Sequence, residues 1–125
     1  MKPATDRRRA AEARGRRSES IAALILTCKF YRVIGRRVKT PAGEIDLVAL
    51  APAGPLCFIE VKARHSRQDA AEALSNRQRI RIEQAAEFYL RAKPALRHKA
   101  VRFDIMLITP RQWPRHVRDA WRPGF

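Results

Sequence analysis

The sequence predicts a single α/β domain in which a mixed β-sheet is flanked by helices, with elements in the order α-β-β-β-α-β. Three observations carry that prediction. The chain has 125 residues, enough for one packed core and too few for two. Its apolar residues recur at helical spacing up to about residue 28, then alternate, then return to helical spacing after about residue 70. Gly/Pro clusters stand between the alternating runs, where turns would join strands.

Taken in order, residues 1 to about 18 are rich in Arg, Ala and Glu, good helix formers once past Pro3. The apolar block Ile21 to Leu26 follows without a break. One helix is therefore expected from roughly 6 to 28, its second half packed on the sheet. Residues 1–14 would be its basic extension and 15–125 the domain itself. Phe30 to Val38 reads as a strand, Thr40 to Gly43 as a turn, and Glu44 to Leu50 as a second strand. Ala51 to Pro55 is a tight loop before the strand Leu56 to Lys62, which makes the last two strands a hairpin. A polar loop, Ala63 to Asp69, leads to a second helix over 70–92, striped by Ile82, Ala85, Ala86 and Tyr89 and ended by Pro94. Val101 to Thr109 is the final strand, where Phe103 and Ile105 alternate with Arg102 and Asp104 as half-buried strand rather than site. The tail from Trp113 is expected to be irregular with a turn of helix. Trp113 and Trp121 anchor it to the core in this reading, rather than stacking on bases.

Composition narrows the function. Lys and Arg number 27 against 12 Asp and Glu, a formal charge of +15. Folding does not require that excess and self-repulsion opposes it, so it points to a polyanionic partner. Nucleic acid is preferred to a membrane, because no segment is built to lie on lipid or long enough to cross it. A solvated basic surface is the plainer alternative. Cys28 and Cys57 sit in apolar runs and read as buried thiols of a reducing compartment. The three histidines are scattered, without zinc-site spacing. No apolar signal core follows the basic N-terminus, and the expected location is cytoplasmic.

The hairpin holds the chemistry. Closed symmetrically about Ala53, it sets Asp46 opposite Glu60 and Glu44 opposite Lys62, on the face that carries Val48–Phe58 and Leu50–Leu56. Ile45–Val61, Leu47–Ile59 and Ala49–Cys57 form an apolar opposite face. Directly opposed residues have Cβ atoms about 4.5–5.5 Å apart, where like charges are destabilising. A divalent cation, Mg²⁺ or Mn²⁺, resolves the conflict between Asp46 and Glu60, since such ions bind through one or two carboxylates with water and phosphate. Lys62, on the same face, is suited to position an attacking water or offset charge on phosphate. The competing interpretation is a set of solvated edge charges, with Glu44 and Lys62 a surface ion pair worth under about 1 kcal/mol.

The runs Gly43-Glu-Ile-Asp-Leu-Val-Ala49, Phe58-Ile-Glu-Val-Lys-Ala-Arg64 and Arg102-Phe-Asp104 resemble the uncharacterised bacterial family labelled YraN-like. That family is similar to the restriction-endonuclease-like, PD-(D/E)xK nucleases and to Holliday-junction resolvases. The likeness reaches upstream to Gly15, Glu19, Ala22 and Leu26 and downstream to His116 through Trp121. It implies a restriction-endonuclease-like core with Asp46 and Glu60 as metal ligands and Lys62 beside them. It also implies Glu19 as a first-helix acid at the metal and Glu44 as a support for Lys62. Glu19 shares a helix face with Ala22, Ala23 and Leu26 and can point inward, though solvent exposure remains open. Many relatives carry lysine where this chain has Gln78.

For nucleic-acid contacts the candidates are Arg64, Arg77, Arg79 and Arg81, with Arg16 and Arg17 in the basic arm. The arm is equally readable as a solvated end. The leading expectation is a metal-dependent endonuclease acting on DNA. A preference for branched substrates and a homodimer are implied by the resolvase similarity alone. The alternatives are a non-catalytic nucleic-acid-binding module and an adaptor in repair or recombination.

Overall fold

The protein is described by a computed structural model that covers residues 4–65 and 70–123. A long helix, α1 (Ala4–Cys28), precedes three strands, β1 (Arg32–Thr40), β2 (Gly43–Leu50) and β3 (Leu56–Ala63). Two helices, α2 (Ala70–Ala73) and α3 (Asn76–Ala92), and a 3-10 turn (Pro94–Leu96) lead to β4 (Val101–Ile108) and β5 (Arg115–Trp121). The five strands lie side by side in sequence order. β3 and β4 run parallel and every other neighbouring pair is antiparallel. This is the mixed sheet expected, widened by one strand.

Each face of the sheet carries its own core. Ala22 and Leu26 of α1 pack with Leu47, Ala49, Cys57, Ile59 and Met106. Ile82, Ala85, Ala86 and Tyr89 of α3 cover Val48, Leu56, Phe58, Phe103 and Ile105 on the other side. β4 is buried along its middle, from Phe103 to Leu107, because it has a strand on each edge and a helix layer on each face. That corrects the half-buried reading of this strand.

Four local departures from the sequence pattern have physical causes. The helix expected over 70–92 breaks at Ser75, which caps α3: its hydroxyl accepts from Gln78 N–H (3.2 Å) while the Gln78 side chain accepts from Ser75 N–H (2.9 Å). The tail forms β5, antiparallel to β4. Its alternation was hidden because Asp119 adopts a positive φ of 53° where the register shifts. The first strand starts at Arg32 rather than Phe30, since Phe30 (φ 68°) closes α1 in a left-handed turn. There Phe30 N–H bonds the Thr27 carbonyl and Tyr31 N–H bonds that of Leu26. Cys28, expected to be buried, is exposed, whereas Cys57 is buried and its thiol is pushed up to about 12 by that burial. The loop expected over 63–69 lies partly outside the described residues.

One distortion positions the site. Strand alternation would place Ile45 and Leu47 on the same face, yet Ile45 joins the α3 side and Leu47 the α1 side. Across β1 the partners behave alike: Arg36 is paired with Leu47, and Val38, paired with Ile45, packs on the α3 side. Between them Arg37 has a positive φ of 49°, which pivots both strands. The pivot falls beside Asp46, so its side chain need not follow either face.

Candidate active site

The β2–β3 ladder has the expected register, Leu47 with Ile59, Val48 with Phe58, Ala49 with Cys57 and Leu50 with Leu56. It stops there. Beyond Ile59 the Asp46 side chain takes the place of a backbone partner, its Oδ2 accepting from Val61 N–H at 2.8 Å. The opposed pairs expected further along, Asp46 with Glu60, Ile45 with Val61 and Glu44 with Lys62, are not part of the ladder. Glu44 is exposed and faces Lys39 across β1.

The opening brings two carboxyls together. The Glu60 side chain is 15% exposed and hydrogen-bonds the Asp46 carboxylate. Burial, then that hydrogen bond and the Asp46 charge, push the Glu60 carboxyl upward to about 9. Lys62 Nζ lies 3.9 Å from Glu60 Oε1 and pulls the other way, but weakly. The arrangement is a half-buried carboxyl held against a second acid, next to an amine.

Glu19 reaches the same region from α1. Its charge adds to the upward push on Glu60, while its own Oε1 is held by Arg37 Nε at 2.6 Å. Arg37 thus both turns the strand and binds the third acid, a role its sequence position did not suggest. Among the described residues no group of three or more His, Cys, Asp or Glu side chains is gathered to hold a metal, so Glu19 stands beside the pair rather than in a three-acid cage. The two-carboxylate set is nonetheless chemically suited to Mg²⁺ or Mn²⁺. A cation between Asp46 and Glu60 would offset their repulsion.

The expected nucleic-acid contacts separate into groups. Arg77 and Arg81 are exposed on one side of α3, four residues apart. The Arg81 stem covers Gly43, where a Cβ would come within 3.1 Å of it and where φ is +139°. Arg79 lies instead over the Trp121 ring, 5.8 Å from its centroid. Gln78 is engaged in the α3 cap. Arg17 and Arg64 border a cleft between α1 and the ends of β3 and β4, and Arg16 is exposed beside it on α1. Trp121 is buried, stacked on Phe103 and donating to Glu83 at 3.0 Å, the anchoring role expected of it. Trp113 is 81% exposed, so it is not packed into the core as expected.

A family model described as "Uncharacterised protein family UPF0102" matches residues 18–108. A UPF0102 protein of Parvibaculum lavamentivorans is 52% identical over 109 residues, covering 87% of this chain and 81% of the relative. One of Maricaulis maris is 47% identical over 120 residues, covering 96% and 94%. Among solved structures, one titled "Structure of EndoMS-dsDNA2 complex" is similar with a TM-score of 0.40 and 15% identity, over 70% of this chain and 34% of that one.

Proposed function

We propose that this chain, which belongs to the uncharacterised protein family UPF0102, is a divalent-metal-dependent nuclease that hydrolyses phosphodiester bonds in DNA. The observation that carries this reading is the meeting of Asp46 and Glu60 in a buried opening of the sheet with Lys62 Nζ at 3.9 Å. A purely structural strand pair gains nothing from two acids held against each other. Asp46 and Glu60 would hold Mg²⁺ or Mn²⁺, which when bound acidifies a water and offsets charge on the phosphate.

The chain's own groups supply the rest. The Val61 N–H fixes one oxygen of Asp46 and so orients the carboxylate. Lys62 is placed to hydrogen-bond the attacking water or a non-bridging phosphate oxygen. Arg37 neutralises Glu19 and limits the negative charge a phosphate would meet. The net charge of +15 draws the polyanion and makes binding fall with salt.

The test is cleavage of end-labelled linear and branched DNA in Mg²⁺ or Mn²⁺. Product is expected from the wild type, with rates lower by about a hundredfold or more in Asp46→Ala and in Lys62→Ala. Cleavage that persists unchanged in both variants overturns the assignment. A binding module without turnover is the second reading, favoured by the engagement of Glu19 with Arg37. Salt-dependent binding of the same DNA with no product in either metal would select it.

A further inference from the structure

The cleft between α1 and the ends of β3 and β4 has a volume of about 700 Å³. Arg14 and Arg17 enter it from α1, Arg64 from the residue after β3, and Arg111 from the loop after β4, while among the described residues no carboxylate lines it. Ile21 and Ile25 continue the same stripe of α1 and give it an apolar wall. Trp113, 81% exposed, completes the rim. Four cations, an aromatic face and an apolar wall are what a nucleic-acid strand requires: guanidiniums for phosphates, a ring for a base.

From this we propose that the cleft binds an unpaired DNA strand, with a base stacked on Trp113 and the flanking phosphates on Arg14, Arg17, Arg64 and Arg111. The inference rests on the nuclease reading for its link to chemistry and narrows the substrate to DNA carrying an unpaired segment near the scissile bond. A volume of this order encloses a drug-sized group, the scale of one or two nucleotides. Both walls are continuous with the candidate site. Ser18 lines the cleft and the next residue is Glu19; Ala63 lines it and the residue before is Lys62. A strand seated on Trp113 is thereby brought beside the end of β3 that carries Glu60 and Lys62.

The test measures anisotropy of a fluorescein-labelled oligothymidine 15-mer and of a labelled duplex of equal length, both in EDTA so that no cleavage intervenes. Trp113→Ala is expected to weaken single-strand binding roughly tenfold, with duplex binding changed less than about twofold. Trp113→Phe keeps a stacking ring and should stay within about threefold of the wild type. Arg111→Ala should lower the salt dependence of single-strand binding by about one phosphate contact. The proposal is overturned by Trp113→Ala binding the 15-mer as the wild type does, by equal losses on both DNAs, or by Trp113→Phe being as weak as Trp113→Ala. The two readings fail separately. Absence of cleavage with this binding pattern intact removes the nuclease and leaves the cleft; cleavage with Trp113 indifferent does the reverse.

Discussion

Glu60 and Asp104 sit one register step apart on parallel neighbouring strands, Ile59 facing Asp104 and Glu60 facing Ile105, and their chemistry is opposite. Asp104 is fully buried and fully served. Arg102 donates to both its oxygens at 2.9 Å, His116 Nε2 bonds it at 2.8 Å and Asp119 N–H at 2.9 Å. Burial alone would raise its pKa, but the bonds from His116, Arg102 and Asp119 outweigh it and hold the carboxyl below its usual range. The knot extends outward: Arg102 also donates to the Tyr31 hydroxyl at 2.6 Å, and Lys29 Nζ meets His116 Nδ1 at 2.6 Å. With Lys29 as donor, His116 accepts at Nδ1 and carries its proton on Nε2, facing Asp104. Glu60 has a second acid and a single amine at 3.9 Å instead. A structural carboxylate is given its partners by the fold. One whose partners are missing from the fold is set up to receive them from a ligand.

The largest effect that tests this contrast comes from Asp104→Ala. It strands the Arg102 guanidinium and the His116 ring without their acceptor, and removing one member of a buried ion pair costs about 3–5 kcal/mol. Urea unfolding should show that loss, while Asp46→Ala, which removes a repulsion along with one acceptor, should stay within about 1 kcal/mol of the wild type. Equal losses in the two variants would erase the distinction between a structural and a functional acid.

Next in size is Glu60→Gln. The carboxyl ionises near 4.5 when unperturbed and near 9 in the native chain, so between these values the folded state holds a proton the unfolded state has released. Stability therefore falls as pH rises through that window. Gln at this position removes the dependence. Its Tm should match the wild type below pH 4.5 and exceed it by several degrees at pH 8, about 1 kcal/mol being worth about 4 °C or more in a chain of this size. Mg²⁺ should narrow the gap by stabilising the wild type alone. Melting curves that superimpose from pH 4 to pH 9 would contradict the frustrated pair.

Tyr31→Phe probes the rim of the knot. It removes the hydroxyl that accepts from Arg102 at 2.6 Å and keeps the edge contact with the His116 ring, whose centroid lies 5.5 Å away. A charged donor loses one acceptor, worth about 1–2 kcal/mol, readable as a lower urea midpoint at unchanged slope. No change would mean that Asp104 alone satisfies the guanidinium.

How much of this was visible in the chain follows from where periodicity holds. The helical stripe of α3 and the register of Leu47 to Leu50 against Leu56 to Ile59 follow from ordinary period-2 and period-3.6 patterns, and the hairpin arithmetic put Asp46 and Glu60 on neighbouring strands. As a pairing rule the arithmetic failed at Asp46 and Glu60 themselves, because a non-glycine residue in a left-handed conformation, Arg37, reverses the alternation without a compositional mark. Asp119 and Phe30 hid β5 and the end of α1 in the same way. The Asp104 knot joins Lys29, Tyr31, Arg102, His116 and Asp119, residues that no local spacing relates. Trp113 was misread since an aromatic in a tail gives no local signal of which way it faces.

The smallest expected effect concerns one of those hidden positions. Phe30 lies directly before Tyr31 of the knot, 85% exposed and with a φ of 68°, a conformation that costs an L side chain about 1–2 kcal/mol and glycine nearly nothing. Glycine gives back part of that gain through its freer unfolded chain, so Phe30→Gly should stabilise the protein by roughly 0.5–1 kcal/mol and raise Tm by a few degrees. The gain should persist in Asp46→Ala, a site with no shared partner. It should shrink in Tyr31→Phe, where the turn no longer has the Arg102 bond to aim. Destabilisation by Phe30→Gly would instead mean that the exposed ring contributes to holding Tyr31 over Asp104, and that the structural acid depends on more of α1 than its hydrogen bonds alone indicate.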